Sequence, residues 1–174
     1  VEPVLDKFSL MQGYSSNSVG GASSGRVFSE IFMINIGSLI QASGRGIFSV
    51  APSDKVIDAL RYMAEKNIGA VLVLDGQHLA GIFSERDYAR KVVLQGRSSQ
   101  STLVGDIMVS KLITVEASQA LDVCMQLMTD HRIRHLPVLD QGNLVGVISI
   151  GDVVRQMIEE QRLLIEQLEA YIRG

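Results

Sequence analysis

Two copies of one short pattern contain the residues best placed for chemistry: Ser84-Glu85-Arg86-Asp87 and Ser149-Ile150-Gly151-Asp152, each preceded by Gly and two apolar residues. A Ser followed three residues later by a carboxylate suits the start of a helix, where each side chain can satisfy a backbone amide beside the other. The same carboxylate can accept two hydrogen bonds from the vicinal hydroxyls of a ribose, while the Ser hydroxyl and the first helix amides face a phosphate. Capping and binding share one geometry and are compatible. Cations lie close by in the chain: Arg86 precedes Asp87, and Arg132, Arg134 and His135 precede the second copy by about fifteen residues. A guanidinium offers a fork of donors to phosphate. A solvated basic turn is the alternative reading of that second group.

Other reactive residue types are poorly arranged. Cys124 falls on the apolar stripe of a predicted helix and reads as a small core residue rather than a nucleophile. His78 sits in a predicted turn. His131 and His135 are four apart but straddle a predicted helix end, without the third ligand or glutamate of a metalloprotease pattern. Met63, Met125 and Met128 recur at helical spacing as core filler. The segment Gly20-Gly21-Ala22-Ser23-Ser24-Gly25-Arg26-Val27 is a poor phosphate loop, with Arg where Lys is needed and Val where a magnesium-holding hydroxyl is needed. With no catalytic constellation and no metal site, a non-enzymatic role is expected.

The elements that position the two Ser-x-x-Asp copies are themselves duplicated. Residues 49–93 align without a gap on residues 114–158 at a constant offset of 65, with Val50, Ser53, Met63, Ile68, Val73, Leu74 and Asp75 identical to their counterparts. Leu79, Gly81, Ser84, Asp87 and Arg90 likewise match Leu144, Gly146, Ser149, Asp152 and Arg155. Each unit reads as a short strand (48–50; 113–115), then a helix capped by Ser53 or Ser118, then a hairpin, then a closing helix. The helical stripes expected to be buried are Val56, Ile57, Leu60, Met63 and Ala64, and Leu121, Cys124, Met125 and Met128. The Ser-rich stretch 96–103 reads as the linker between units.

Composition narrows the class. A chain of 174 residues with 47% apolar residues can bury one core or two small ones, and a single Cys suits a reducing compartment. The apolar runs are too short to cross a membrane, and a net charge of -3 with scattered basic residues argues against nucleic acid. Residues 1–33, whose first thirty hold seven Ser and four Gly, read as a flexible tail. The closing helix runs on through 161–174 as an extension, with Val154, Met157, Gln161, Leu164, Leu168 and Tyr171 or Ile172 at helical intervals, and such a face needs a partner surface.

Taken together, the paired Gly-apolar-apolar-Ser-x-x-Asp motifs inside an ungapped repeat resemble the CBS domain family, in which two such repeats form a Bateman module. The entry segment Val104-Gly105-Asp106-Ile107-Met108 is similar to that of the family, and Ile36-Gly37-Ser38-Leu39-Ile40 is its weaker counterpart. The resemblance covers residues 34–160 and implies an α+β fold of two β-α-β-β-α repeats, 34–95 and 104–160, in pseudo-twofold contact, followed by a long C-terminal helix. It implies an adenosyl ligand (AMP, ADP, ATP, NAD or S-adenosylmethionine). Asp87 and Asp152 would take the ribose, with Ser84 and Ser149 on the sugar or phosphate side. Ser49 and Val50, or Ile113, Thr114 and Val115, would line the base pocket, with Ala70 and Val71, or Leu136 and Pro137, as its walls. Arg86 in one cleft, and Arg134 with His135 in the other, would then face phosphate. The expected function is a nucleotide-binding sensor acting on a partner protein in trans, homodimeric and cytoplasmic, or in an organelle such as the mitochondrion if the tail is the remnant of a targeting segment. The competing reading is a structural dimerisation module whose clefts bind nothing.

Overall fold

A computed structural model describes residues 35–44 and 46–173. The tail expectation for 1–33 and the loop at 20–27 lie outside the described residues. Within them the order is α1 (Ile36–Ser43), β1 (Ser49–Val50), α2 (Val56–Lys66), β2 (Ala70–Asp75), β3 (His78–Ser84) and α3 (Glu85–Tyr88), which continues as a π turn at Ala89–Val93. A 3-10 turn at Val104–Asp106 leads into the second set: β4 (Val115–Glu116), α4 (Leu121–Asp130), β5 (His135–Asp140), β6 (Asn143–Ser149) and α5 (Ile150–Arg173). The α+β architecture expected from the repeat is therefore present, long C-terminal helix included.

Each repeat builds a three-stranded sheet, ordered β1-β2-β3 and β4-β5-β6, with the first pair parallel and the second antiparallel. Both hairpins have the same register and the same irregularity, between Val73 and Leu74 and between Val138 and Leu139. Their two-residue turns use the left-handed region at Gly76 (φ 61°) and at Gln141 and Gly142 (φ 50° and 81°), which matches the twist of the flanking strands.

The entry segments cross over. Ile36 belongs to the core of the second repeat, with Val115, Cys124, Met128, Leu136, Ile148 and Val153. Val104 and Ile107 belong to the core of the first, with Val56, Met63, Val71, Phe83 and Val92. The bonds repeat as well. Gly37 N donates to Ala117 O (2.8 Å) and Gly105 N to Pro52 O (2.9 Å), while Ile36 N donates to Gln119 O and Val104 N to Asp54 O. Ile36 and Val104 are fully buried, each an anchor of about 2 kcal/mol, so each repeat is completed by a segment that precedes the other in the chain.

The structure corrects three local expectations. Ser53 and Ser118 are exposed and do not cap; the N-cap residues are Lys55 and Ala120, without side-chain cap bonds. The first amides of α2 instead donate to backbone carbonyls, Val56 N to Thr102 O and Ile57 N to Ser99 O. The 96–103 linker thus does the capping. Ala64 is exposed, and the buried stripe of α2 runs Val56, Ala59, Met63. The short strand of the second repeat starts at Val115, so Ile113 and Thr114 precede it.

Candidate functional site

Both Ser-x-x-Asp copies form the same tight knot at a helix start. Ser84 Oγ donates to Asp87 Oδ2 at 2.5 Å, Ser84 N donates to the same oxygen at 3.2 Å, and Asp87 N donates to Ser84 Oγ at 3.3 Å. At Ser149 and Asp152 the three distances are 2.6, 3.0 and 3.2 Å. One oxygen of each carboxylate is spent on capping, as the sequence spacing suggested, and Oδ1 has a cation one turn further along the chain, Lys91 beside Asp87 and Arg155 beside Asp152.

What lies beyond differs. Asp152 and Ser149 open on a cleft of about 170 Å³ whose walls come from both repeats and from the first entry helix: Ile47, Phe48, Asn67, Gly69 and Ala70 face His135, Gly146 and Val147, with Ile40 and Ser43 at one side. A second hollow of about 360 Å³ shares Ile40, Ser43, Val147 and Asp152 as walls and adds Arg155 and Gln156. Together they reach the few hundred Å³ usual for a small-molecule site. Arg155 Nη1 stands 4.0 Å from Asp152 Oδ1.

The sequence-derived candidates are distributed unevenly over this site. Ala70, His135, Ser149 and Asp152 are brought together. Val71, Leu136 and Pro137 are buried in the sheets, where they form core rather than cleft wall. Ser49, Val50 and Val115 lie on the short strands, adjacent to the cleft-lining Phe48 in the first repeat. Arg86 is committed to the other repeat: its Nη1 donates to Arg132 O at 2.9 Å. Arg134 is exposed. His135, read from the sequence as a phosphate cation, has its pKa lowered from 6.5 because burial penalises the imidazolium; Asp152 opposes this and Arg134 reinforces it. It therefore enters the cleft as a neutral donor and acceptor.

Several lining residues escaped the sequence reading. The mixing of Phe48 and Asn67 to Ala70 with Ser149 and Asp152 follows from how the repeats face each other, which the one-dimensional pattern does not encode. Arg155 carried a usable signal, since it lies one helical turn after Asp152 and matches Arg90 in the other repeat. Cys124 is fully buried, and burial pushes its thiol up to about 11, so it is held as an inert thiol.

Comparison with known proteins identifies the family of the fold. The family model for the CBS domain matches residues 41–94 and 104–159. A mitochondrial CBS domain-containing protein of Arabidopsis thaliana is 51% identical over 126 residues, covering 70% of this chain and 61% of that protein. A solved CBS-domain protein of Burkholderia ambifaria is 56% identical with a TM-score of 0.70, over 73% of this chain and 96% of that one. A CBS domain protein from Pyrobaculum aerophilum, solved in complex with AMP, is 27% identical with a TM-score of 0.61, over 68% and 89% of the two chains. Two matched domains, a crossed pair of repeats and duplicated Ser-x-x-Asp knots lead to one conclusion: the chain belongs to the CBS domain family, as a tandem CBS pair.

Proposed function

We propose that this chain is a non-enzymatic sensor that binds an adenosyl nucleotide in the Asp152 cleft and thereby alters the surface it offers to a partner protein in trans. The observation that carries the reading is the position of the Asp152 carboxylate: capped on one oxygen by Ser149, it faces a hollow walled by both repeats. A ribose on Asp152 would place the base between Phe48, Ile47 and Ala70. The phosphates would then run toward Arg155 and the first amides of α5. A ligand so placed touches both repeats and shifts any equilibrium between their arrangements by its differential affinity. The AMP complex of the Pyrobaculum relative supports the ligand class. Among AMP, ADP, ATP, NAD and S-adenosylmethionine, the shared adenosine is what these walls would recognise.

Two further readings accompany this one. The exposed apolar stripe along α5, with Ile158, Ile165, Leu168 and Ile172 all more than 45% exposed, favours a twofold homodimer. On location, the Arabidopsis relative favours the mitochondrion over the cytoplasm.

Thermal unfolding of the whole chain against each of the five ligands tests the sensor reading. Binding to the native state stabilises by about 2.7 kcal/mol at a hundred times Kd, a rise of several degrees. The expected outcome is a rise with at least one ligand that vanishes in Asp152→Ala. No rise with any of them at millimolar concentration leaves only a structural module.

A further inference from the structure

We infer that the boundary between the two repeats is strapped at one edge, by Arg86, and left unstrapped at the other, beside Gly151, so that the second edge is the one that opens. The device belongs to the protein with or without a ligand. Three observations carry it.

The strap joins the start of one repeat's closing helix to the end of the other repeat's first helix. Arg86, in the first turn of α3, donates from Nη1 to Arg132 O at 2.9 Å, across 46 residues of chain. Arg132 follows α4 by two residues, where helix carbonyls have run out of intrahelical partners and the helix dipole favours a cation. It sits there in the left-handed region, at φ 54°, which a side chain as large as arginine rarely adopts. His135, three residues further on, lies against the first repeat. Its Cε1 and Glu85 Oε2 come within 4.0 and 3.5 Å of the point that a Cβ on Gly69 would occupy.

The opposite edge has the same backbone without the strap. Asn67 stands in the place of Arg132, at φ 52°. The matched amides make matched bonds: Asn67 N donates to Ala64 O and Ile68 N to Met63 O, as Arg132 N donates to Thr129 O and Ile133 N to Met128 O. The counterpart of Arg86 is Gly151, which has no side chain to send to Asn67 O. The cleft of about 170 Å³ lies at this edge, lined by Asn67 from one repeat and by Ser149 and Asp152 from the other.

Sterics do not require the glycine. Among the described residues, a Cβ at Gly151 would meet only Ser149 Oγ, at 3.7 Å, which is ordinary contact. A longer side chain would fit, and its absence leaves the edge without a fastening. Bodies held at one edge separate by rotating about it, which widens the side where Asn67 and Ser149 face each other.

Hydrogen exchange of the full chain, without ligand, tests the inference. Once intrinsic rates are divided out, Arg132 and Ile133 are expected to be protected more than Asn67 and Ile68, by about threefold or more. Arg86→Ala should erase the difference. Gly151→Arg, compared with Gly151→Ala to remove the gain from replacing a helical glycine, should raise the protection of Asn67 and Ile68. Equal protection of the two turns in the unmodified chain, a difference that survives Arg86→Ala, or a Gly151→Arg variant no better protected than Gly151→Ala would each overturn the inference. None of these results touches ligand binding, so the sensor reading stands or falls by its own test.

Discussion

His135 decides how the cleft responds to acid. Burial holds its folded pKa below the 6.5 at which the unfolded chain takes up the proton, so between those values the unfolded state binds more protons than the native one. Stability contributed by the neutral imidazole is fully present above about 6.5 and is lost as pH falls through the folded value. Thermal unfolding between pH 7.5 and 5 is expected to show this loss, with a slope that cannot exceed about 1.4 kcal/mol per pH unit for one proton. It should be shallower in His135→Gln; an unchanged slope in the variant would assign the loss to other groups. The residue scale is also where the sequence was most readable. Ser84 with Asp87, and Ser149 with Asp152, bond at a separation of three residues, and so their geometry follows once a helix starts there. Arg86 spans 46 residues to Arg132 O, and the burial that neutralises His135 comes from the packing of two repeats. Neither is a local property, and both were therefore read from the sequence as phosphate contacts.

At the scale of elements, the offset of 65 residues carried most of the fold, because two copies of one period fix strand, helix and hairpin together. It left open which copy each entry segment completes. Ile36 and Val104 are both apolar, and the crossing shows in the cores they join and in their bonds to Gln119 O and Asp54 O. The two entry segments also tolerate change differently. Gly81→Ala would press a methyl into the backbone oxygen of Val109, and overpacking of this kind costs about 1–3 kcal/mol. Gly146→Ala meets only the side chain of Ile40, which can shift. Denaturant unfolding should accordingly show Gly81→Ala to be the more destabilised of the pair, by at least about 1 kcal/mol. Equal losses would mean that the Met108–Val109 segment yields as readily as a side chain.

For the whole molecule, α5 separates what the sequence pattern had merged. Val154, Met157, Gln161, Leu164 and Leu168 looked like one stripe, but the helix presents two. Val153 is fully buried against the second repeat, where Met157 packs alongside it, and Leu164 is half-buried further along the helix. Val154, Ile158, Gln161, Ile165, Leu168 and Ile172 recur at intervals of four, three, four, three and four on an adjacent, exposed face. That spacing matches the seam expected of a two-stranded coiled coil, with a single polar Gln among the apolar positions. Aligned antiparallel, Val154 meets Ile172, Ile158 meets Leu168 and Gln161 meets Ile165 of a second copy, a set that closes on itself under a twofold axis. Sedimentation equilibrium is expected to show a dimer that becomes monomeric in Ile165→Lys/Leu168→Lys. The same variant should keep its circular dichroism and its ligand-induced rise in unfolding midpoint, because Asp152 lies more than three helical turns away along α5. A dimer that survives both lysines would place the pairing surface elsewhere on the two repeats.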